Sequence, residues 1–415
     1  MLPCPAKKLP ESTCSSLPSA ACAVALLFLT AAPASAQWRL QPVFSGGLEV
    51  DDNARLVPEE FGQDSIQGYT VAVEGTVTYT SQLTNFSFTP EIRTRRFDES
   101  DFDSDDVFAD MRFQRTGQRF NFDVRAGFSD QATRTGEVSN VDFDIEDPSE
   151  LPVDDSGLLS VVRNRQSFLI APNWSYRTSE RTLVRLGGTF VDTAFDEVEG
   201  LPSNDFTTGL VNGAFEVDVS ERDTIGLYGY YRNNDFNAGN RGDVTGSGFG
   251  LRYRREVSEK LEFATAIGVD RTEIASGQEP STPVGEISLV RRFETGRLTA
   301  SYQRTVGGSG RAVISERDAI NLSGRRKLSE RLTIGLGIRA YRTTALEDVQ
   351  AAAIDERDFI QLGALFAWRF TQTFSVEADY RLSVLDRDNF DTGLIPTSSA
   401  TSNRFILWLR YSPVL

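Results

Sequence analysis

The chain has 415 residues, a formal net charge of −16, no histidine and three cysteines. So acidic a balance argues against nucleic acid as a partner, and the missing histidine removes the commonest general base and metal ligand. Cys4, Cys14 and Cys22 all lie near the start, so the rest of the chain has no disulfide, thiolate metal site or cysteine nucleophile.

Residues 1–36 read as a secretory signal. Lys7 and Lys8 form a positive n-region, Ala20 to Ala32 a short apolar core, and Ala34-Ser35-Ala36 a small-residue cleavage site that places the mature start at Gln37. Cys22 follows Ala20-Ala21 in the manner of a lipidation site. Most of the apolar run comes after it, however, and no Leu stands three residues before it. Removing Lys7, Lys8 and Glu11 with the leader leaves 41 cationic and 58 acidic side chains, a net charge of −17. Only Lys260 and Lys327 then remain as lysines, so the positive charge is almost all arginine, the cation better suited to confined ion pairs.

Beyond residue 36 no stretch approaches the ~18 apolar residues of a membrane helix, which excludes a helical inner-membrane protein. Short apolar/polar alternations recur instead, from about residue 39 to the end. Between Lys260 and Asp270, Leu261, Phe263, Ile267 and Val269 share one face, and Glu262, Ala264, Gly268 and Asp270 the other. Eight small polar turns punctuate the rhythm, at 80–82, 116–118, 178–180, 220–221, 258–260, 294–296, 329–330 and 371–373. The hairpins they close span 66–97, 105–130, 163–195, 204–236, 243–274, 283–309, 315–345 and 354–386. Single strands at 40–50 and 404–411 bring the count to 18, within a range of 16–18. An even count puts both chain ends on the short-turn side. Short connections at one end and long polar ones at the other, with one greasy face per strand, predict an all-β fold. It is a transmembrane antiparallel up-and-down β-barrel over residues 37–415, in the cell outer membrane.

The alternation also assigns faces. Tyr69, Val71, Val73, Val77 and Tyr79 look out, as do Leu332, Ile334, Leu336 and Ile338, and Phe405, Leu407, Leu409 and Tyr411. Aromatics gather near the short turns (Tyr79, Phe120, Trp174, Tyr176, Phe293, Trp368, Phe370, Phe374, Tyr411), as in a headgroup-level girdle. The opposite parity places Arg93, Arg112, Arg125, Arg252, Arg254, Arg292, Arg325, Arg339, Arg369, Arg381 and Arg410 inside, with Glu262, Glu377 and Asp379. A midplane arginine facing lipid costs about 2–4 kcal/mol, a cost that a wet lumen removes. The inward set reads either as a polar conduit attracting anions or as a ladder of ion pairs stiffening the wall. Arg339, Arg369 and Arg381 are the expected anion-selecting set.

Other chemistry finds little footing. Asp101, Asp103 and Asp105 echo a calcium loop, but Asp106 stands where the glycine belongs and Arg112 where the bidentate acid belongs. No G-x-G-x-x-G precedes a helix. A Ser-Lys or carboxylate mechanism is left with two lysines near turns, so no enzyme, cofactor or metal is expected. The acidic connection 131–162 is long enough to fold inward as a constriction or to cover the mouth.

The first strand runs through Ser45-Gly46-Gly47-Leu48-Glu49-Val50 into an Asp51-Asp52-Asn53 turn. With the leader, the hairpin rhythm and the length, this resembles the outer-membrane β-barrel porins associated with bacterial exopolysaccharide loci. The resemblance covers the whole mature chain in architecture, and the Asp51-Asp52-Asn53 turn is its one motif. Strand count and lumenal arginines are also similar to the alginate export porin, an analogy of architecture. The resemblance implies passive passage of an anionic polysaccharide or of small polar solutes. The implied partners are outer-membrane lipid and lipopolysaccharide, the barrel-assembly machinery and polysaccharide secretion proteins. A general porin, a structural barrel without transport and a secreted β-rich adhesin are the alternatives. One departure concerns assembly: such barrels usually end in Phe or Trp, whereas Pro413-Val414-Leu415 follows Tyr411 here.

Overall fold

The computed structural model describes residues 37–133, 163–196, 205–236, 243–274, 277–309, 313–346, 356–388 and 398–413. The expected leader, with its cleavage site at Ala36, and residues 134–162 of the long acidic connection lie outside the described residues.

Eighteen strands follow one another: β1 (Gln37–Asp51), β2 (Ile66–Thr80), β3 (Thr84–Phe97), β4 (Ser104–Thr116), β5 (Phe120–Ala132), β6 (Asn164–Arg177), β7 (Thr182–Phe195), β8 (Phe206–Asp218) and β9 (Asp223–Phe236). Then come β10 (Val244–Ser258), β11 (Leu261–Glu273), β12 (Ser281–Phe293), β13 (Gly296–Ser309), β14 (Val313–Lys327), β15 (Leu332–Ala345), β16 (Glu356–Arg369), β17 (Phe374–Asp388) and β18 (Ser398–Tyr411). Each pairs with its successor, and β1 pairs antiparallel with β18, from Phe44↔Tyr411 to Asp51↔Arg404. That last pairing closes the sheet, so the barrel has no edge strand.

Burial is inverted relative to a water-soluble protein. Phe249 is 73% exposed, Val211 65% and Leu336 64%, while Gln361, Thr272 and Asp270 are buried at 0–1%. An apolar exterior around a polar interior, on a closed sheet, has lipid as its solvent. The protein is an outer-membrane β-barrel. At the short-turn end its outer surface carries ring contacts: Trp38 lies 4.8 Å from Tyr79, Trp174 5.7 Å from Tyr176, and Phe374 4.8 Å from Tyr411.

The short turns share a device. A Ser or Thr oxygen accepts from backbone N–H groups two or three residues on, at Ser81, Ser179, Ser220, Ser258, Ser329 and Thr371. These side chains satisfy donors that a tight turn would otherwise leave open.

The Asp51-Asp52-Asn53 turn forms the seam of the barrel. Asp51 accepts from the Ser402 hydroxyl at 2.8 Å, and Asp52 accepts from both the backbone and the amide nitrogen of Asn403. Asn53 is 1% exposed and donates to the carbonyls of Thr401 and Val57. It thereby turns the connection between β1 and β2 inward. Leu56, in the left-handed region at φ 50°, then packs against Tyr341, Phe359, Leu385 and Ala400, inward-facing residues of β15–β18.

A second inward feature breaks the wall. The β12–β13 ladder stops at Gly285↔Arg304, although β12 continues to Ser281 against β11. Above that point β13 and β14 lean into the barrel. Val306 and Ile314 sit on the face that looks outward lower down, yet they are 6% and 0% exposed. They pack with Phe236 and Val244, from the inner wall of β9 and β10.

Candidate functional site: an arginine-lined cavity

With the register settled, the interior divides. Inner residues of β4–β13 line an open cavity of about 1210 Å³. Six of the fourteen side chains assigned inward from the sequence stand on its wall: Arg112, Arg125, Arg252, Arg254, Arg292 and Glu262. Three further arginines, Arg165, Arg185 and Arg232, join them there. Arg185 alternates with outward Val184 and Leu186, so its parity could have been read. So could that of Arg232, which follows outward Ile225, Leu227 and Tyr231 at alternate positions, whereas Arg165 adjoins the long connection before β6.

The charges are grouped in a particular way. Asp123 lies between two arginines, 3.1 Å from Arg112 and 3.8 Å from Arg125. Glu216 spans Arg185 at 3.0 Å and Arg252 at 3.1 Å. Glu262 stands 3.4 Å from Arg254 and 3.6 Å from Arg292. Each carboxylate thus serves two guanidinium groups, and each triad has a net charge of +1. A guanidinium has five N–H donors in a fixed fork, so sharing one acid leaves donors on both arginines for another acceptor. Every member of these triads lies within seven residues of a short turn, in the half of its strand nearer that turn.

Counted over the cavity wall, eight arginines face four carboxylates, Asp110, Asp123, Glu262 and Glu286. Glu216 and Asp270 stand beside them. Even with both included the balance is positive, in a chain whose net charge is −16.

The remaining eight predicted residues sit elsewhere. Arg381 pairs with Asp379 at 2.9 Å, both largely buried, and Arg339 is 8% exposed with its guanidinium 5.6 Å from the Tyr341 ring. Arg93 pairs with Glu91 at 2.6 Å, and Arg410 with Glu377 at 3.4 Å. Arg369 donates to the Glu330 carbonyl at the short-turn rim, and Arg325 opposes Arg297 across β13–β14. Near them is a buried pair absent from the sequence-derived set, Glu49 and Arg404, 2.8 Å apart with side chains 1% and 2% exposed. Arg95 and buried Asp106 form another at 3.6 Å.

The acidic stretch around Asp101 is used one carboxylate at a time. Asp98 accepts from the backbone of Gln67 and Glu99, Asp103 from that of Phe97, and Asp105 pairs with Arg96 at 2.9 Å.

No family model matches the chain, and no curated protein does. Solved structures are similar to it. The siderophore receptor PirA from Pseudomonas aeruginosa is 9% identical over 91% of this chain and 80% of its own, with a TM-score of 0.43. OpdQ from the same organism is 9% identical over 91% and 99%, with a TM-score of 0.44. A loop-deletion form of OmpT, an outer membrane protein of Vibrio cholerae, is 12% identical over 91% and 100%, with a TM-score of 0.37. A closed outer-membrane barrel around a charged cavity has the general architecture of an outer-membrane channel.

Proposed function

We propose that this protein is a passive outer-membrane channel for anionic solutes, and that its cargo is an acidic exopolysaccharide on its way out of the cell. The observation that carries the reading is the set of three arginine–carboxylate–arginine triads, a cationic lining in an otherwise acidic protein. Paired guanidinium groups suit the carboxylates of a uronic acid chain, which they can hold bidentately and release again in a wet lumen. The placement of the triads supports the outward direction. They stand in the short-turn half of the wall, on the side from which a solute leaving the periplasm enters. No reaction on the cargo is needed for such a role.

The test is electrical. Purified protein in planar bilayers under a salt gradient is expected to give a reversal potential on the anion side. Exchanging one arginine per triad (Arg112→Gln, Arg185→Gln, Arg254→Gln) brings each triad to neutrality and is expected to lower the anion preference several-fold. An acidic oligosaccharide added on the short-turn side should block the current, and a neutral one of equal length should not. Cation-preferring current in the unaltered protein would overturn the anionic reading. Indifference to both oligosaccharides would overturn the polysaccharide one.

A further inference from the structure

We infer that the inward-leaning end of β13–β14 is the constriction that sets which solutes pass, and that Arg232 is the positioning residue that seats it. The inference rests on the channel reading and goes beyond it by assigning the size limit to one element.

The separation of β13 from β12 above Gly285↔Arg304 frees the upper ends of β13 and β14 from their neighbour. Through Ser315↔Ala345 they remain paired to β15, so the element is hinged on one side only. Its former outer face lies against the inner wall, Val306 and Ile314 on Phe236 and Val244. Gly308 allows the approach, since a Cβ there would stand 2.9 Å from the Phe236 ring. The other face, with Thr305 and Gly307, lines the cavity. The wall therefore overlaps itself here, and the overlap takes its thickness out of the lumen.

Arg232 holds the overlap together. It projects from β9 and is 5% exposed. Gly246 gives its guanidinium room, since a Cβ there would meet Nη2 at 2.6 Å. On β11, Asp270 lies 3.6 Å away, and the Thr272 hydroxyl accepts from Nη2 at 3.2 Å. The Tyr230 hydroxyl donates to the same Asp270 at 2.6 Å. Thus aimed, Nη1 donates to the Val306 backbone carbonyl, β9 to β13, across the gap the ladder leaves. A charge-assisted bond to a main-chain oxygen fixes the position of the element whatever its side chains are.

Two variants test this in planar bilayers, with neutral polyethylene glycols of graded size as probes. Replacing residues 306–316 by Asn-Gly joins the paired Thr305 and Arg317 through a two-residue hairpin turn. It is expected to raise single-channel conductance at least two-fold and to admit larger polymers. Arg232→Met is expected to raise the polymer size limit. A merely structural role would lower thermal stability and leave the size limit where it was. Gly307→Cys provides a variant that keeps the hairpin: a Cβ there meets nothing within 4 Å, and the mature chain has no other cysteine. Its reaction with a bulky methanethiosulfonate should at least halve the conductance, and a reductant should restore it. If the unaltered protein conducts and none of these changes alters conductance or size limit, the inference is overturned and the channel reading stands. If neither the unaltered protein nor the shortened one conducts, both are overturned.

Discussion

The two sides of the lumen are built from the same ingredients to opposite effect. Along β4–β13 each of three carboxylates is shared by two arginines, those arginines stay partly wet, and charge is left over. Along β14–β18 and β1–β3, and at Asp106 where β4 begins, ion pairs (Glu49 with Arg404, Asp379 with Arg381, Asp106 with Arg95) are buried. What separates the two sides is cover. The β1–β2 connection, turned inward at Asn53 and anchored by Leu56, lies over β15–β18. Removing water from a charge costs several kcal/mol per ion, so a covered lumen tolerates charges only where each has a partner. An uncovered one can hold an excess for solutes to meet.

The largest expected effect comes from breaking a covered pair and an open one in parallel. Arg404→Met leaves Glu49 beside an apolar side chain in a site 1–2% exposed. It is expected to cost about 3–5 kcal/mol, the range for removing one member of a buried ion pair. Arg254→Met, in a pair whose side chains are 50% and 27% exposed, is expected to cost less than about 1 kcal/mol. Urea unfolding of the barrel in lipid vesicles reads both. Equal midpoint shifts would mean that cover does not distinguish the two sides.

Next in size is removal of the cover itself. Leu56→Ala deletes a side chain that is 3% exposed between Phe359 and Leu385. A loss of about 2–5 kcal/mol is usual for a Leu so placed. Because the cover is a connection rather than a strand, the loss should appear as local opening more than as global unfolding. Hydrogen exchange is expected to rise at residues 53–66, with little change in β5–β11.

The alternation of side chains was enough to find all eighteen strands, the eight short turns and the inward parity of Arg112, Arg125, Arg252, Arg254 and Arg292, because each of these is a local property with period two. It could not say which inward residues meet open space. That depends on Leu56 reaching Phe359, and on β13 leaving β12, contacts between residues far apart in the chain or set by a ladder that stops. A local signal did mark the filled regions. At the long-connection ends both faces turn apolar, as in Phe359-Ile360 and Val384-Leu385, where a wet lumen would give a polar residue at every second position. The Asp51-Asp52-Asn53 turn stood out in the sequence only as a resemblance. Its physical content is the seam to Ser402 and Asn403 and the inward turn of the cover.

Selectivity sharpens the comparison further. The sequence points to Arg339, Arg369 and Arg381 for anion selection, yet Arg339 and Arg381 are buried on the β14–β18 side and Arg369 donates to the Glu330 carbonyl. Arg381→Gln is expected to leave the reversal potential unchanged, whereas Arg254→Gln shifts it toward zero. A shift from Arg381→Gln as large as that from Arg254→Gln would show that ions reach the covered side.

The smallest effect separates the triads from any contribution of the outer surface. Screening reaches about 10 Å at 0.1 M salt and about 3 Å at 1 M. A charge on the outer rim acts on ions over the longer distance only, so its influence should vanish at 1 M. A triad arginine in a confined lumen meets a passing anion at contact, and the low-dielectric wall limits how much salt can intervene. Anion preference is therefore expected to fall between 0.1 M and 1 M without disappearing, and the residue that survives at 1 M should be the part that the three Arg→Gln exchanges remove. A preference abolished by salt alone would assign selectivity to the rim, and the difference between the two sides of the lumen would then have no consequence for transport.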